Sequence, residues 1–570
     1  MAFAWTIAGW RLFYFLTDDA FITFRYASNA IAGRGFVWNP APFQPVEGYT
    51  SWLWLSLLTL VWRVTGIEPP DSANVFSLVF GMATLVVLYR IFRRMPLPET
   101  WQRHRLALFS LVLLGVLTNR TFLAWLSSGL ETALFNFCFL LWISFAIRPP
   151  AERDRGWVLG LSLSASLTVL TRPDGWLLVF ATVLLVGLDS ILQRRNGVAL
   201  VRRLAWALPL AAGPIHLLWR KWMYGEWLPN TYYAKYYAAW PKSGIRYAES
   251  FLLEYAVWIW IAIALFWMGR SIRLPRQRQP EGEIADQREH GSMIAGLRDR
   301  LLGISRLVPV AVVLTHFAYY TLRIGGDHFE YRVYSHLVPL LFRTFVWLLA
   351  RSVRSVRTAY AWMGLFILIS WPVPWTHFAA TRNLMTRPET YFLFQPIAPR
   401  FPAVVRWYAA AFDKRQQWLI RHCVGMRHQE HKIFWLSLRD ELPSREEGGR
   451  IEWEGADPHP VVTDSSVGLI AWVFPNVAVI DAAGLNDYVV ARTPPRSRRN
   501  MQMAHDRRPP KGYIGCFRPN VILDDTGYSY TPRDNPLGDD EIRACERQFR
   551  ADLRQTETRR RHPALARTTP

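Results

Sequence analysis

Two adjacent carboxylates, Asp18 and Asp19, directly follow the first apolar stretch of the chain, in the run Leu16-Thr17-Asp18-Asp19-Ala20-Phe21. Paired carboxylates at a membrane surface are costly unless they have partners or a task. The task that suits them is activation of an acceptor hydroxyl, or binding of a cation, in a site shielded from water. The alternative is a helix end where polar residues meet water.

Further candidate residues recur in compact clusters. Arg25 follows within the same segment, and the run Glu47-Gly48-Tyr49-Thr50-Ser51 adds a third carboxylate and an aromatic ring. In Thr171-Arg172-Pro173-Asp174-Gly175 the Pro-Asp-Gly triplet is a strong turn signal. Arg172 there either pairs with Asp174 or presents its guanidinium fork to a phosphate. The run LPNTYYAKY (228–236) holds Asn230, Tyr233 and Lys235. Its aromatics suit either an interfacial belt or stacking on a sugar, and Lys235 suits a phosphate as a point charge. The run GGDHFEYR (325–332) places Asp327, His328, Glu330 and Arg332 after a bend-permitting Gly-Gly. Those groups form either a satisfied hydrogen-bond network or a set of substrate or metal contacts. There is no P-loop and no G-x-G-x-x-G behind a strand, so nucleotide hydrolysis is not indicated.

The elements that must position these clusters follow from the distribution of apolar residues. The chain has 570 residues and is 51% hydrophobic. Most of its apolar runs lie before about residue 375. A bilayer span needs roughly 20 apolar residues. The spacing predicts about eleven spans: 3–16, 72–92, 106–118, 131–147, 157–171, 175–192, 204–219, 249–269, 305–322, 333–350 and 358–373. A further apolar run, SWLWLSLLTLVWRV (51–64), reads as an amphipathic helix lying along the interface. With that assignment, the basic segments holding Arg93, Arg94, Arg148, Arg202 and Arg203, and the 270–304 stretch, all fall on the inside. Residues 17–71, 119–130, the turn at Arg172, 220–248, 323–332 and the region from about 376 then lie outside. The candidate residues concentrate in these outer segments.

The expected division is a transmembrane domain over 1–375, a soluble extracytoplasmic domain over 376–552, and a disordered tail over 553–570 rich in Arg, Thr and Pro. Short β-like runs at 477–480 (VAVI) and 520–523 (NVIL) predict a small α/β or β-rich domain. Of four cysteines, Cys138 lies in an apolar run; Cys423, Cys516 and Cys545 allow at most one bridge and leave one thiol over. None is spaced for zinc or redox chemistry. The first apolar stretch lacks the marks of a cleavable signal peptide and is expected to be retained. The net charge of +22 is explained by Arg clusters between apolar runs, and no nucleic-acid motif accompanies it.

Taken together and in order, these segments resemble a known family. LTDDAFITFRYASNAIAGRGFVWNP and VEGYTSWLW look like the opening of the GT-C glycosyltransferases related to mycobacterial terminal arabinofuranosyltransferases of the AftB type and to ZomB-type proteins. TRPDGW, PNTYYAKY, GGDHFEYRVYSHLVPLL and VIDAAGLNDYVVAR match further segments, so the resemblance runs from about residue 14 to about 492. It implies a GT-C fold with an acidic catalytic residue in the first outer loop, which maps to Asp18 or Asp19. It implies a polyprenyl-phosphate-linked sugar donor such as decaprenylphosphoryl arabinofuranose, and a cell-envelope glycan as acceptor. It also implies a multi-pass protein of the bacterial inner membrane whose active site and C-terminal, carbohydrate-binding-module-like domain face the periplasm.

The expected site therefore has Asp18 or Asp19 as the base, with Asp18 preferred. Arg172, Lys235 and Arg332 are the expected donor-phosphate contacts. Arg25, Glu47, Tyr49, Asp174, Asn230, Tyr233, Asp327 and His328 complete the candidate substrate set. The sequence specifies no cofactor; a divalent cation (Mg or Mn) on Asp18, Asp19 or Asp327 is left open. Two other functions fit the composition: a transporter of lipid-linked saccharides, or a non-catalytic envelope or motility factor built on the same scaffold.

Overall fold

The computed structural model describes residues 1–193, 197–236, 238–273, 289–391, 402–450, 457–495, 501–524 and 527–561. The basic 270–304 stretch lies outside the described residues over 274–288.

The expected apolar runs fold largely as helix. The long ones, Pro69–Arg93, Pro173–Leu192, Arg300–Ile324 and Val356–Thr381, are extended and apolar enough to cross a membrane. This is an integral membrane protein. Other apolar helices, such as Arg105–Leu117 and Thr132–Ala146, are shorter than a full span. The second of these buries residues on all sides, among them Leu134, Phe135, Cys138, Phe139 and Trp142, as a helix does inside a bundle.

Two expected boundaries change. The 249–269 run is not one straight helix. Pro241–Glu254 and Val257–Arg273 meet at a bend of 91°, and Ala256 in the break has φ 50°. The first helix ends at Leu12 rather than near residue 16. Leu16 bridges Ser128, and the Thr17 amide donates to the Ser128 carbonyl at 3.1 Å, so the chain is already extended there. Thr17 then caps a new helix, Asp18–Ile31, by accepting from the Ala20 amide. The large first outer segment thus begins as a buried helix. The run read as interfacial folds as the helix Trp52–Thr65, stopped by Gly66 at φ 75°. It buries Trp54, Leu55 and Leu58 and leaves Leu60 and Val64 exposed.

The C-terminal region packs directly on the first outer segment. Phe21, Phe24 and Trp54 share one hydrophobic cluster with Ile470, Trp472 and Phe474. Arg25 is fully buried and ties the two together, donating to the carbonyls of Trp38, Ala471, Phe474 and Val477. Strands β1 (Val461–Asp464) and β2 (Ala478–Asp481) pair in parallel, with the helix Gly468–Val473 between them in sequence. Strands β3 (Val521–Asp524) and β4 (Gly527–Tyr530) form an antiparallel hairpin. β2 and β3 coincide within a residue with the two β-like runs. Cys516 and Cys545 form the one disulfide; Cys138 and Cys423 are free.

The tail reading needs correction over 553–561. The helix Asp539–Arg561 continues through it. Ile542, Cys545, Phe549 and Leu553 recur at helical spacing and pack against Tyr513 and Phe517. That apolar stripe holds the helix in place despite the Arg-rich composition. Residues 562–570 lie outside the described set.

Candidate functional site

A cavity of about 250 Å³ opens where the segments expected to lie outside meet. Its acidic groups are Asp19, Glu131, Asp174 and Asp327, and its basic groups are Arg172, Lys235 and Arg332. Tyr49, Tyr232, Tyr236, Tyr319 and Tyr320 supply aromatic walls. Clusters separated by up to three hundred residues in sequence therefore share one surface.

The two carboxylates of the opening pair part company. Consecutive helical residues point about 100° apart. Asp18 turns to the helix Gly468–Val473, accepting from the amides of Gly468 (3.1 Å) and Leu469 (2.7 Å). Burial pushes its carboxyl up to about 7; the Leu469 hydrogen bond opposes this and the Asp19 charge adds to it. Asp19 turns into the cavity and makes no hydrogen bond or ion pair among the described residues.

The cationic wall is built from two turns. Arg172 donates to Asp174 (3.3 Å), Glu131 (3.4 Å) and the Tyr320 hydroxyl (2.7 Å). Asp174 also accepts from Tyr320 (2.9 Å) and lies 3.0 Å from His316 Nε2. Arg172 therefore pairs with Asp174, and both line the cavity. A π-helical turn, Tyr319–Ile324, presents Tyr319 and Tyr320. Gly325 and Gly326 follow at φ 97° and 102°, where a side chain would also strike Trp240 and Tyr247. That bend delivers Asp327 against Arg332, at 2.8 and 3.4 Å. Burial would raise the Asp327 carboxyl, but the Arg332 charge and its hydrogen bonds outweigh it, with Lys235 and Arg172 adding, so it is held below the usual carboxylate range. Burial, and then His431 and His505, push His328 down to about 3. As a neutral ring it donates Nδ1–H to the Cys423 carbonyl at 2.8 Å, leaving Nε2 as an acceptor.

Besides Asp18, the preferred base of the expected set, four further expected site residues lie away from the cavity lining and brace it. Arg25 holds backbone carbonyls, as above. Glu47 is buried in an ion pair with Arg220. Asn230 donates to the carbonyls of Gly484, Leu485 and Asp487. Tyr233 reaches Glu226 at 3.3 Å and lies under the Arg492 guanidinium. Tyr49 lines the cavity and bonds Tyr224 at 3.0 Å. The sequence reading missed Glu131, Tyr320 and His316. Each sits inside or beside an apolar run, with no local signal beyond its own polarity.

Leu485 and Met503 bring the C-terminal region into the cavity wall. The loop carrying Leu485 is wound around Asp481, which accepts from the amides of Ala483, Gly484 and Asn486. Asn486 packs against Gly48, where a Cβ would sit 1.7 Å from its Oδ1. Asn486 cannot retreat easily, since Asp481 and Tyr26 hold it. Gly48→Ala is therefore expected to cost about 1–3 kcal/mol of stability as Asn486 and the Leu485 loop are displaced. Thermal unfolding checks it; an unchanged midpoint would contradict this close contact.

Beneath the cavity lies a buried ion network. Arg427 binds Glu254 (2.9 and 2.8 Å) and Glu330 (2.5 Å), and Arg120 binds Glu254 (3.2 Å) and Glu330. Glu330 also takes the Trp125 indole N–H on its backbone carbonyl at 2.8 Å. This fixes the turn that carries Asp327 and Arg332.

Among the described residues, no three His, Cys, Asp or Glu groups converge as a ligand set. Asp174 and Asp327 spend their oxygens on Arg172, His316, Tyr320 and Arg332.

No family model matches the chain. It is 26% identical over 332 residues to a terminal β-(1→2)-arabinofuranosyltransferase of Mycobacterium tuberculosis, a match covering 57% of this chain and 51% of that protein. The chain thus spans about half the length of that curated relative. Among solved structures, ArnT from Cupriavidus metallidurans bound to undecaprenyl phosphate superposes with a TM-score of 0.47 at 12% identity, covering 88% of this chain and 87% of that one. In sequence, then, the chain is similar to a mycobacterial arabinofuranosyltransferase over more than half of its length.

Proposed function

We propose that the protein is a GT-C membrane glycosyltransferase. It transfers a sugar, arabinofuranose by its similarity to the mycobacterial enzyme, from a polyprenyl-phosphate donor to an envelope glycan on the outer face of the bacterial inner membrane. The observation that carries this reading is an unpaired carboxylate, Asp19, sharing a cavity with Arg172, Lys235 and Arg332. Guanidinium and ammonium groups there suit a departing phosphate.

Asp19 takes the proton of the acceptor hydroxyl as its oxygen attacks the anomeric carbon. The bond from that carbon to the donor phosphate oxygen breaks, and its electron pair leaves with the polyprenyl phosphate. Arg172, Lys235 and Arg332 stabilise the charge that grows on the phosphate. Because the leaving group is a phosphate, it needs no strong acid. The tyrosine walls offer stacking surfaces for sugar rings, and the lipid tail lies between helices.

The test supplies membranes containing the protein with a labelled polyprenyl-phosphate arabinofuranose, and with other polyprenyl-phosphate pentoses. Label is expected in the envelope glycan, preferentially from arabinofuranose. Label from another pentose alone would overturn the sugar; no label from any donor would overturn the enzyme reading.

A further inference from the structure

The Thr132–Ala146 helix connects two very different cavities. Glu131, just before its start, lines the cavity described above. Ser144, Phe145 and Arg148, at its other end, line a second cavity of about 690 Å³. A helix of this length rises about 22 Å, so the two lie at opposite ends of the bundle. The same holds along Glu289–Ala318, where Arg306 lines the second cavity and Tyr319 and Tyr320, just past the helix end, line the first.

Six arginines surround the second cavity: Arg90, Arg93, Arg94, Arg148, Arg306 and Arg343. One lining carboxylate, Glu152, accompanies them; among the described residues it pairs with Arg94, at 3.5 Å in a half-exposed contact, while Glu152 and Asp154 lend negative charge near Arg148. The Nε atoms of Arg148 and Arg343 are buried without a hydrogen-bond partner among the described residues. Burial, and then the charge of Arg94, lower the Arg148 guanidinium from its ordinary value. Like charges gathered in partly dry surroundings repel one another, and an unmatched buried donor costs free energy. The other wall is apolar, with Val87, Ile91, Leu141, Phe145 and Trp347.

The geometry points to a second binding site here, distinct from the catalytic cavity, for the phosphate of an anionic lipid headgroup. Guanidinium forks match phosphate oxygens, basic pockets between membrane helices take acidic headgroups, and the apolar wall suits the acyl chains. The occupant enters from the leaflet opposite the catalytic cavity, so it is neither donor nor leaving group. This inference stands without the glycosyltransferase reading.

The test uses the full chain in phosphatidylcholine nanodiscs with increasing phosphatidylglycerol, and in neutral detergent with inorganic phosphate. Binding is read from the thermal midpoint and from displacement of a spin-labelled phosphatidylglycerol. Phosphatidylglycerol is expected to bind and stabilise the protein where phosphatidylcholine does not. The Arg148→Gln, Arg343→Gln double variant should weaken binding by about tenfold or more. The Lys pair at the same positions should retain more of it, and Arg63→Gln, an exposed arginine elsewhere, should change nothing. If inorganic phosphate alone reproduces the stabilisation, the anion site stands and its occupant is a soluble phosphate. Equal response to the two lipids, or equal affinity in the Gln pair, overturns the site. Should the Gln pair fail to fold, displacement on the wild-type chain decides: unlabelled phosphatidylglycerol must compete and phosphatidylcholine must not.

Discussion

Asp19→Asn is expected to lower sugar transfer by roughly 10²- to 10⁴-fold, the range for loss of a positioned general base, with the protein still folded. Asp18→Asn is expected to keep turnover per folded molecule near the wild-type value. The two residues are adjacent and chemically identical. They differ in what they face: Asp19 looks into the cavity, whereas Asp18 holds the Gly468 and Leu469 amides. The Asp18 variant should instead change how stability depends on pH. Its carboxyl titrates near 7 in the folded chain against 3.8 unfolded. The folded state therefore holds this proton more tightly between those values. Its stabilising contribution is complete below pH about 4 and is lost as pH rises to about 7. Each tenfold difference in proton affinity between the two states is worth about 1.4 kcal/mol, so wild-type stability relative to Asp18→Asn should fall by a few kcal/mol across that window. Transfer assays normalised to folded protein, with denaturation at several pH values, read both arms. An active Asp19→Asn protein beside a folded but inactive Asp18→Asn protein would reverse the assignment.

The second large effect is expected in the buried ion network. Arg427→Leu leaves Glu254 and Glu330 with Arg120 as their remaining network arginine, in a region with almost no exposure. Removing one partner from a buried pair typically costs about 3–5 kcal/mol, because a charge stays behind uncompensated. Activity should fall as well, since Glu330 lies in the turn holding Asp327 and Arg332. Replacing all four members by apolar residues of similar volume should cost less than the single change. Denaturant titration in detergent measures both. A loss below about 1 kcal/mol for Arg427→Leu would mean that water reaches the network.

Much of the architecture was legible from local pattern. Apolar runs mark helices because a helix in lipid or in a bundle must satisfy its own backbone. The Pro-Asp-Gly and Gly-Gly signals marked the turns at Arg172 and Asp327, where only certain backbone angles are open. The clusters around Asp19, Arg172, Lys235 and Asp327 could be named before any contact was known, because polar groups between apolar runs need a reason to be there. The 249–269 run concealed its bend because hydropathy averages over a break of two residues, Tyr255 and Ala256.

By itself, then, the sequence determined most of the helices, the turns and which segments hold the polar clusters, since these depend on neighbouring residues alone. Which residues face the cavity was decided only by tertiary structure. Arg25 and Glu47 look as reactive as Asp19 in one dimension, yet their partners are Ala471, Phe474 and Val477 for the first and Arg220 for the second. Asp18 is likewise claimed by a helix some 450 residues away. Contacts at such separations have no local signature: a charged side chain is available for chemistry only after the rest of the chain has decided whether to bind it.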